Sequence, residues 1–212
     1  MAVTGLILIG FLLMHMYGNL KMFMGAEAYD HYAEWLKSDI LYPIVPKGWF
    51  IWIFRLFMVA AIVLHIYSAA TLWKRALAAN PSTYEAKRKL AQTYSARTMR
   101  WGGIILALLL VFHLLQFTAK TTLVRTAADL TPYETVVSEF QAWWLVAIYA
   151  LWLVAVCMHV RHGFWSAFAT LGANTSATAR AVLNGCAWAV ALILYIGFMI
   201  MPVAVLFGWI QA

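Results

Sequence analysis

Charge is what this sequence has least of. Only 11% of its 212 residues are Asp, Glu, Lys or Arg, and 65% are hydrophobic; an ordinary soluble domain carries about 25% charged residues. A water-soluble fold of this length has more surface than so few charges can cover, so a soluble domain and a disordered tail are both excluded. Cysteine is nearly missing. The two present, Cys157 and Cys186, belong to no CxxC spacing, which excludes a disulfide framework and a local zinc site. Proline is scarce, and Pro43, Pro46, Pro81 and Pro132 all fall between the long apolar stretches rather than in them. No low-complexity run or internal repeat is present. The net charge of +7 does not indicate a nucleic-acid partner, because the basic residues sit in loops flanking apolar stretches, where membrane topology accounts for them.

What is there is hydrophobic length. A hydrocarbon layer of about 30 Å takes roughly 20 helical residues to cross, and five stretches qualify, near residues 2–24, 49–73, 100–119, 141–163 and 181–209. Backbone groups in lipid must be satisfied within the segment, so these spans are helices. The expectation is an all-α membrane protein forming a single domain over residues 1–212, with Pro202 kinking the last span. The first span is too long, and too closely followed by another, for a cleaved signal peptide. Met1 begins almost inside it with no basic residue before it, so a short cytoplasmic lead-in is expected upstream.

Loop charge sets the orientation. Lys74, Arg75, Lys87, Arg88, Lys89, Arg97, Arg100, Arg161 and Arg180 flank one side, against Lys21, Lys37, Lys47, Lys120 and Arg125 on the other. The positive-inside rule then puts the N-terminus inside and the C-terminus outside. Trp49, Trp52, Trp101, Trp143, Trp144 and Trp209 cluster at span ends as interfacial anchors. In the outer loop from Gly25 to Gly48, the spacing of Tyr29, Tyr32 or Ala33, and Leu36 predicts a short surface helix over 27–37. The inner segment from Tyr84 to Tyr94 is polar and basic: a solvated positive loop, or a docking surface for a cytoplasmic partner.

Four histidines fall inside the first four spans. At a rise of ~1.5 Å per residue, His15 lies about 9 Å and His113 about 10 Å from the outer ends of their helices. His65 lies about 14 Å from the inner end of its helix, and His159 is close to Arg161 on the same side. Helices one and three therefore offer an outer pair, helices two and four an inner pair. Each pair sits on helices of equal polarity, diagonal in a four-helix ring, and diagonal imidazoles can grip a flat macrocycle between them. Ionisable groups inside a bilayer mark functional sites, and two imidazoles are an axial ligand set for haem iron. The expectation is a four-helix bundle holding two b-type haems, with iron held by His15 and His113 at the outer level and by His65 and His159 at the inner one. The competing reading is four buried histidines bonded to backbone or to each other.

Other residues are weaker candidates. His162 competes with His159 for the inner ligand role, being three residues on and on a similar face. Arg55, a charge within the second span, would serve a haem propionate or a quinone, or snorkel to the headgroups. Cys157 and Cys186 with His65 and His159 make the ligand types of a Rieske-type [2Fe–2S] cluster, although Cys157 and His159, two residues apart, point to nearly opposite faces of one helix. Gly10, Gly18, Gly102 and Gly103 suit a close macrocycle or plain helix packing.

These residues carry a family resemblance. The segments TGLILIGFLLMHMYGNLKMF (4–23), GAEAYDHYAEWLKS (25–38), FRLFMVAAIVLHIYSAATLW (54–73), YSARTMRWGGIILALLLVFHLLQF (94–117) and HVRHGFWSAFATLGANTSA (159–177) resemble the cytochrome b membrane-anchor subunit of succinate dehydrogenase and fumarate reductase. The likeness is to its single-chain, five-helix, diheme form and is strongest to actinobacterial versions. The resemblance implies His15, His65, His113 and His159 as axial ligands. It also implies a flavoprotein and an iron–sulfur subunit on the cytoplasmic face of a bacterial cell membrane. Succinate would react in the flavoprotein, and electrons would pass through this anchor to a quinone, here menaquinone. Quinone reduction needs proton donors near an interface: Tyr29, His31 and Glu34 outside, or Arg161, His162 and Trp165 inside. Two other functions compete, a haem-free quinone anchor carrying the Cys/His cluster and a membrane transporter using the histidines as a proton relay.

Overall fold

The computed structural model describes residues 1–78, 94–121 and 129–212 and is all-helical among them. Helix α1, Ala2–Leu20, continues as a 3-10 turn, Lys21–Met24, and stops at Gly25, whose φ of 94° is open to glycine and strained for other residues. Helix α2, Ala26–Ser38, follows at once. Helices α3, Trp49–Ala78, and α4, Tyr94–Phe117, are joined by a segment outside the described residues, as are residues 84–93 of the candidate docking surface and Arg125. Helix α5, Pro132–Phe140, precedes α6, Trp143–Thr170, and α7, Ala177–Leu206.

Four of these, not five, are long and apolar enough to cross a membrane: Ala2–Met24, Trp49–Arg75, Trp143–Thr170 and Ala177–Leu206. The expected third span is a helix, but its apolar stretch, Trp101–Phe117, is shorter. Arg100 bounds it on one side and the helix stops before Thr118 on the other, leaving about 25 Å of apolar rod. Helix α7 runs through Pro202 and ends four residues later, so the lost backbone bond falls in its final turns.

Two elements differ in kind from the crossings. Helix α2 forms where the spacing predicts, with Tyr29, Tyr32, Ala33 and Leu36 partly covered and Glu27, His31, Glu34 and Lys37 exposed. Helix α5 was not foreseen, although its start is written in the sequence. Thr131 and Glu134 form a reciprocal capping box and Pro132 takes the first helical position. Asp30 Oδ1 accepts from the Tyr133 backbone N–H at 2.9 Å and ties α2 to α5.

Packing is centred on α6, which meets α1, α4, α5 and α7; α1 also meets α3 and α7, and α3 meets α2. Helix α3 packs on α1 and α2, α4 packs on α6, and among the described residues α3 and α4 scarcely touch each other. Burial is densest where α5 wedges against α6 and α7, around Val137, Phe140, Leu145, Met201 and Ala204. A second core, Ile9, Val156, Val160, Ala191 and Leu194, joins α1, α6 and α7 midway along. Elsewhere large apolar side chains point outward, as on Leu56, Val63 and Tyr67 of α3 and on Leu192 and Ile196 of α7. That inverted surface suits helices held by close contact within lipid.

A candidate site of two facing histidine pairs

Four histidines, one on each of the first four long helices, face one another in two pairs. The His15 and His113 rings, on α1 and α4, have centroids 5.9 Å apart and planes nearly perpendicular at 86°. The His65 and His159 rings, on α3 and α6, are 6.3 Å apart at 61°. Among the described residues neither pair of helices packs closely, so the imidazoles reach across the middle of the bundle. A metal bound by two imidazole nitrogens at about 2.0 Å each, with about 1.1 Å from nitrogen to ring centre, separates ring centres by about 6.2 Å. The two gaps lie within about 0.3 Å of that length.

The two levels are equally spaced on two helices. A Cβ at Gly5 of α1 would sit 3.5 Å from His65 Cε1, and one at Gly103 of α4 would sit 3.9 Å from His159 Cε1. His15 is ten residues from Gly5 and His113 ten from Gly103, so both helices put the levels ~15 Å apart. Glycine at these positions keeps side chains out of the inner gap.

Tautomers follow from hydrogen bonds. Tyr149 Oη donates to Gln116 Oε1 at 2.7 Å, so it can only accept from His113 Nδ1, 3.2 Å away. Gln116 Nε2 in turn donates to Glu139 Oε2. His113 therefore carries its proton on Nδ1 and a lone pair on Nε2. At the inner level Thr4 Oγ1 donates to the Met1 carbonyl at 3.0 Å and meets His65 Nδ1 at 3.1 Å, which assigns His65 the same tautomer. Trp152 Nε1 beside His113 and His159 Nδ1 are buried nitrogens without a hydrogen bond, one at each level. Buried polar atoms rarely stay unsatisfied, so each level has room in its polar inventory for a bound group. Phe11 stacks on His15 at 5.4 Å, and Phe117 and Trp152 flank His113. The residues fit a pair of haems.

The remaining candidates lie apart from the pairs. Arg55 is exposed, its guanidinium 4.8 Å over the Trp52 ring. Arg161 Nη2 donates to Asn184 Oδ1 at 2.8 Å and lies 4.7 Å over Trp188, bridging α6 to α7. His162 and Trp165 are half-buried on α6. At the outer end, Lys21, Met24, Ala28, His31, Tyr32 and Trp35 line an open cleft of about 350 Å³. Glu34 is exposed. Tyr29 packs on Tyr133, where burial, and then the neighbouring Asp30, push its phenol up to about 12. Cys157 is buried, Cys186 is exposed, and both are free thiols. Among the described residues no three His, Cys, Asp or Glu side chains gather to hold a metal ion, so Cys157, Cys186, His65 and His159 are not brought together. Sequence reasoning missed Thr4, Gly5, Gln116, Glu139 and Tyr149. Gln116 had a signal, lying three residues from His113 on one helical face.

No family model, curated protein or solved structure matches the chain. Its class rests on its own architecture, an all-α, multi-pass helical bundle of membrane-protein type.

Proposed function

We propose that this chain is the membrane-anchor subunit of a succinate:quinone oxidoreductase of the succinate dehydrogenase/fumarate reductase type. In this reading it sits in a bacterial cell membrane with its N-terminus inside. A flavoprotein subunit and an iron–sulfur subunit dock on the cytoplasmic face, and the chain hands their electrons to menaquinone. The observation that carries the reading is the pair of imidazole gaps, 5.9 Å and 6.3 Å, each the width of a bis-imidazole metal site. The sequence segments that resemble the diheme cytochrome b anchors contain the same four histidines. Bound in these gaps, b-type haems supply one-electron carriers at two depths.

The chain's own residues do the rest. His15 and His113 define an outer level, His65 and His159 an inner one, and the ~15 Å between them covers about half of a hydrocarbon layer. Tyr149 and Thr4 hold the lone pairs of His113 and His65 toward the gaps. The outer cleft beside His31 and Tyr32 offers a quinone ring an apolar wall with Lys21 at its edge, and Lys21 Nζ lies 5.0 Å over the Tyr32 ring. At the inner side Arg161, His162 and Trp165 are the counterpart. Oxidation of succinate belongs to the partner subunit.

The test is an optical spectrum of the purified chain. Low-spin b-type bands with about two haems per chain are expected. A chain isolated from its native membrane with no Soret absorbance would end the proposal, and iron with acid-labile sulfide in its place would select the cluster-bearing anchor.

A further inference from the structure

We propose that the buried chain Glu139–Gln116–Tyr149 is a positioning device for His113, one that favours the oxidised state of iron at the outer level. The inference rests on the haem reading of the site.

The three residues come from three helices, Glu139 from α5, Gln116 from α4 and Tyr149 from α6. Glu139 is 0% and Gln116 1% exposed, a costly place for two polar side chains unless both are bonded. Each link fixes the next. The Glu139 oxygen accepts from the amide of Gln116, so that amide turns its oxygen to Tyr149. The Tyr149 hydroxyl spends its proton on that oxygen and is left as an acceptor facing His113 Nδ1. A reversed amide would set its oxygen against the Glu139 oxygen, so the carboxyl group decides the direction of the whole chain.

An imidazole whose N–H is drawn toward an acceptor is a more basic ligand. A more basic ligand stabilises ferric over ferrous iron. Tyr149 is also clasped by Phe117, Phe140 and Trp152 with centroids 6.4, 5.1 and 5.3 Å away, so its hydroxyl is held in place. The inner level is built differently. His65 leans on the Thr4 hydroxyl, which ends at a backbone carbonyl, and His159 Nδ1 has no hydrogen bond. The two levels can therefore be perturbed separately.

The experiment is a potentiometric titration of the purified full-length chain carrying haem, followed by its visible bands, for wild type and for Tyr149→Phe, Glu139→Gln and Thr4→Val. In Tyr149→Phe one of two components should show a ferrous-to-ferric ratio about tenfold higher at fixed ambient potential, the size of one hydrogen bond's preference, or 59 mV for a one-electron couple. Glu139→Gln keeps the side-chain shape but no longer holds Gln116 one way, and should move the same component in the same direction. Thr4→Val should move the other component only. If Tyr149→Phe loses one haem outright, Glu139→Gln, which keeps the tyrosine, decides: a raised potential of the same component supports the proposal and an unchanged one overturns it. Unchanged potentials in both Tyr149→Phe and Glu139→Gln, or equal movement of both components, overturns it while leaving the haem reading intact. A wild-type chain without haem removes that reading, and the inference with it.

Discussion

Replacing one imidazole from each level separates two sites that the bundle keeps apart. His113→Ala opens the outer gap and leaves Tyr149 facing a void, and His65→Ala opens the inner gap and leaves Thr4 without its ring contact. The levels lie ~15 Å apart along both α1 and α4. Beyond 7–10 Å, substitutions with no shared partner act independently within about 0.3–0.5 kcal/mol. The surviving site should then change its haem affinity by no more than roughly twofold. Each variant should hold one haem per chain where the parent holds two, and each should retain a different redox component. The assay is haem content per mole of purified chain by pyridine haemochrome, with a redox titration to identify the survivor. Loss of both haems from either variant, retention of both, or the same surviving component in both would refute the two-level assignment.

Further outcomes follow from the same geometry. Gly103→Leu grows a side chain toward His159 Cε1, 3.9 Å from where its Cβ would sit. It should cost the inner haem and spare the outer, read as halved haem content with one redox component left. Thr131→Ala removes one half of the α5 capping box and should destabilise the chain by about 1 kcal/mol, seen as an earlier midpoint in a detergent-denaturation series. Tyr29, its phenol raised to about 12 by burial against α5, favours the folded state fully below the ordinary tyrosine range. That contribution, roughly 2–3 kcal/mol, fades as pH climbs from about 10 to 12, because the unfolded phenol ionises first. Tyrosinate absorbance should show a late-titrating component that Tyr29→Phe diminishes, and a full set titrating near 10 would contradict it.

Hydropathy alone carried most of the architecture into view. The first, second, fourth and fifth spans need only an uninterrupted apolar run, and the α2 face needs only the spacing of Tyr29, Tyr32 and Leu36. The third stretch falls short of the others because Arg100 and Thr118 leave it too few apolar residues. Helix α5 is hidden from periodicity, its nine residues giving that signal little to act on, and only the capping set Thr131, Pro132 and Glu134 marks its start. At the site, distance from the span ends was enough to match His15 with His113 and His65 with His159, since depth is linear along a helix. Lateral neighbours were not readable that way. Glu139 and Gln116 are 23 residues apart and Tyr149 is 33 from Gln116, so only the packing of three helices makes them one unit. Gly5 likewise means nothing until α3 brings His65 against it.

The scarce contact between α3 and α4 has a consequence for biogenesis. Helices α1, α6 and α7 pack on one another, α3 rests on α1 and α2, α4 rests on α6, and among the described residues α3 and α4 scarcely touch. The seam between α3 and α4 is therefore the side of the bundle least closed by side-chain contact. A planar guest could slip in edgewise from the lipid after all helices are threaded, with no need to unpick the other contacts.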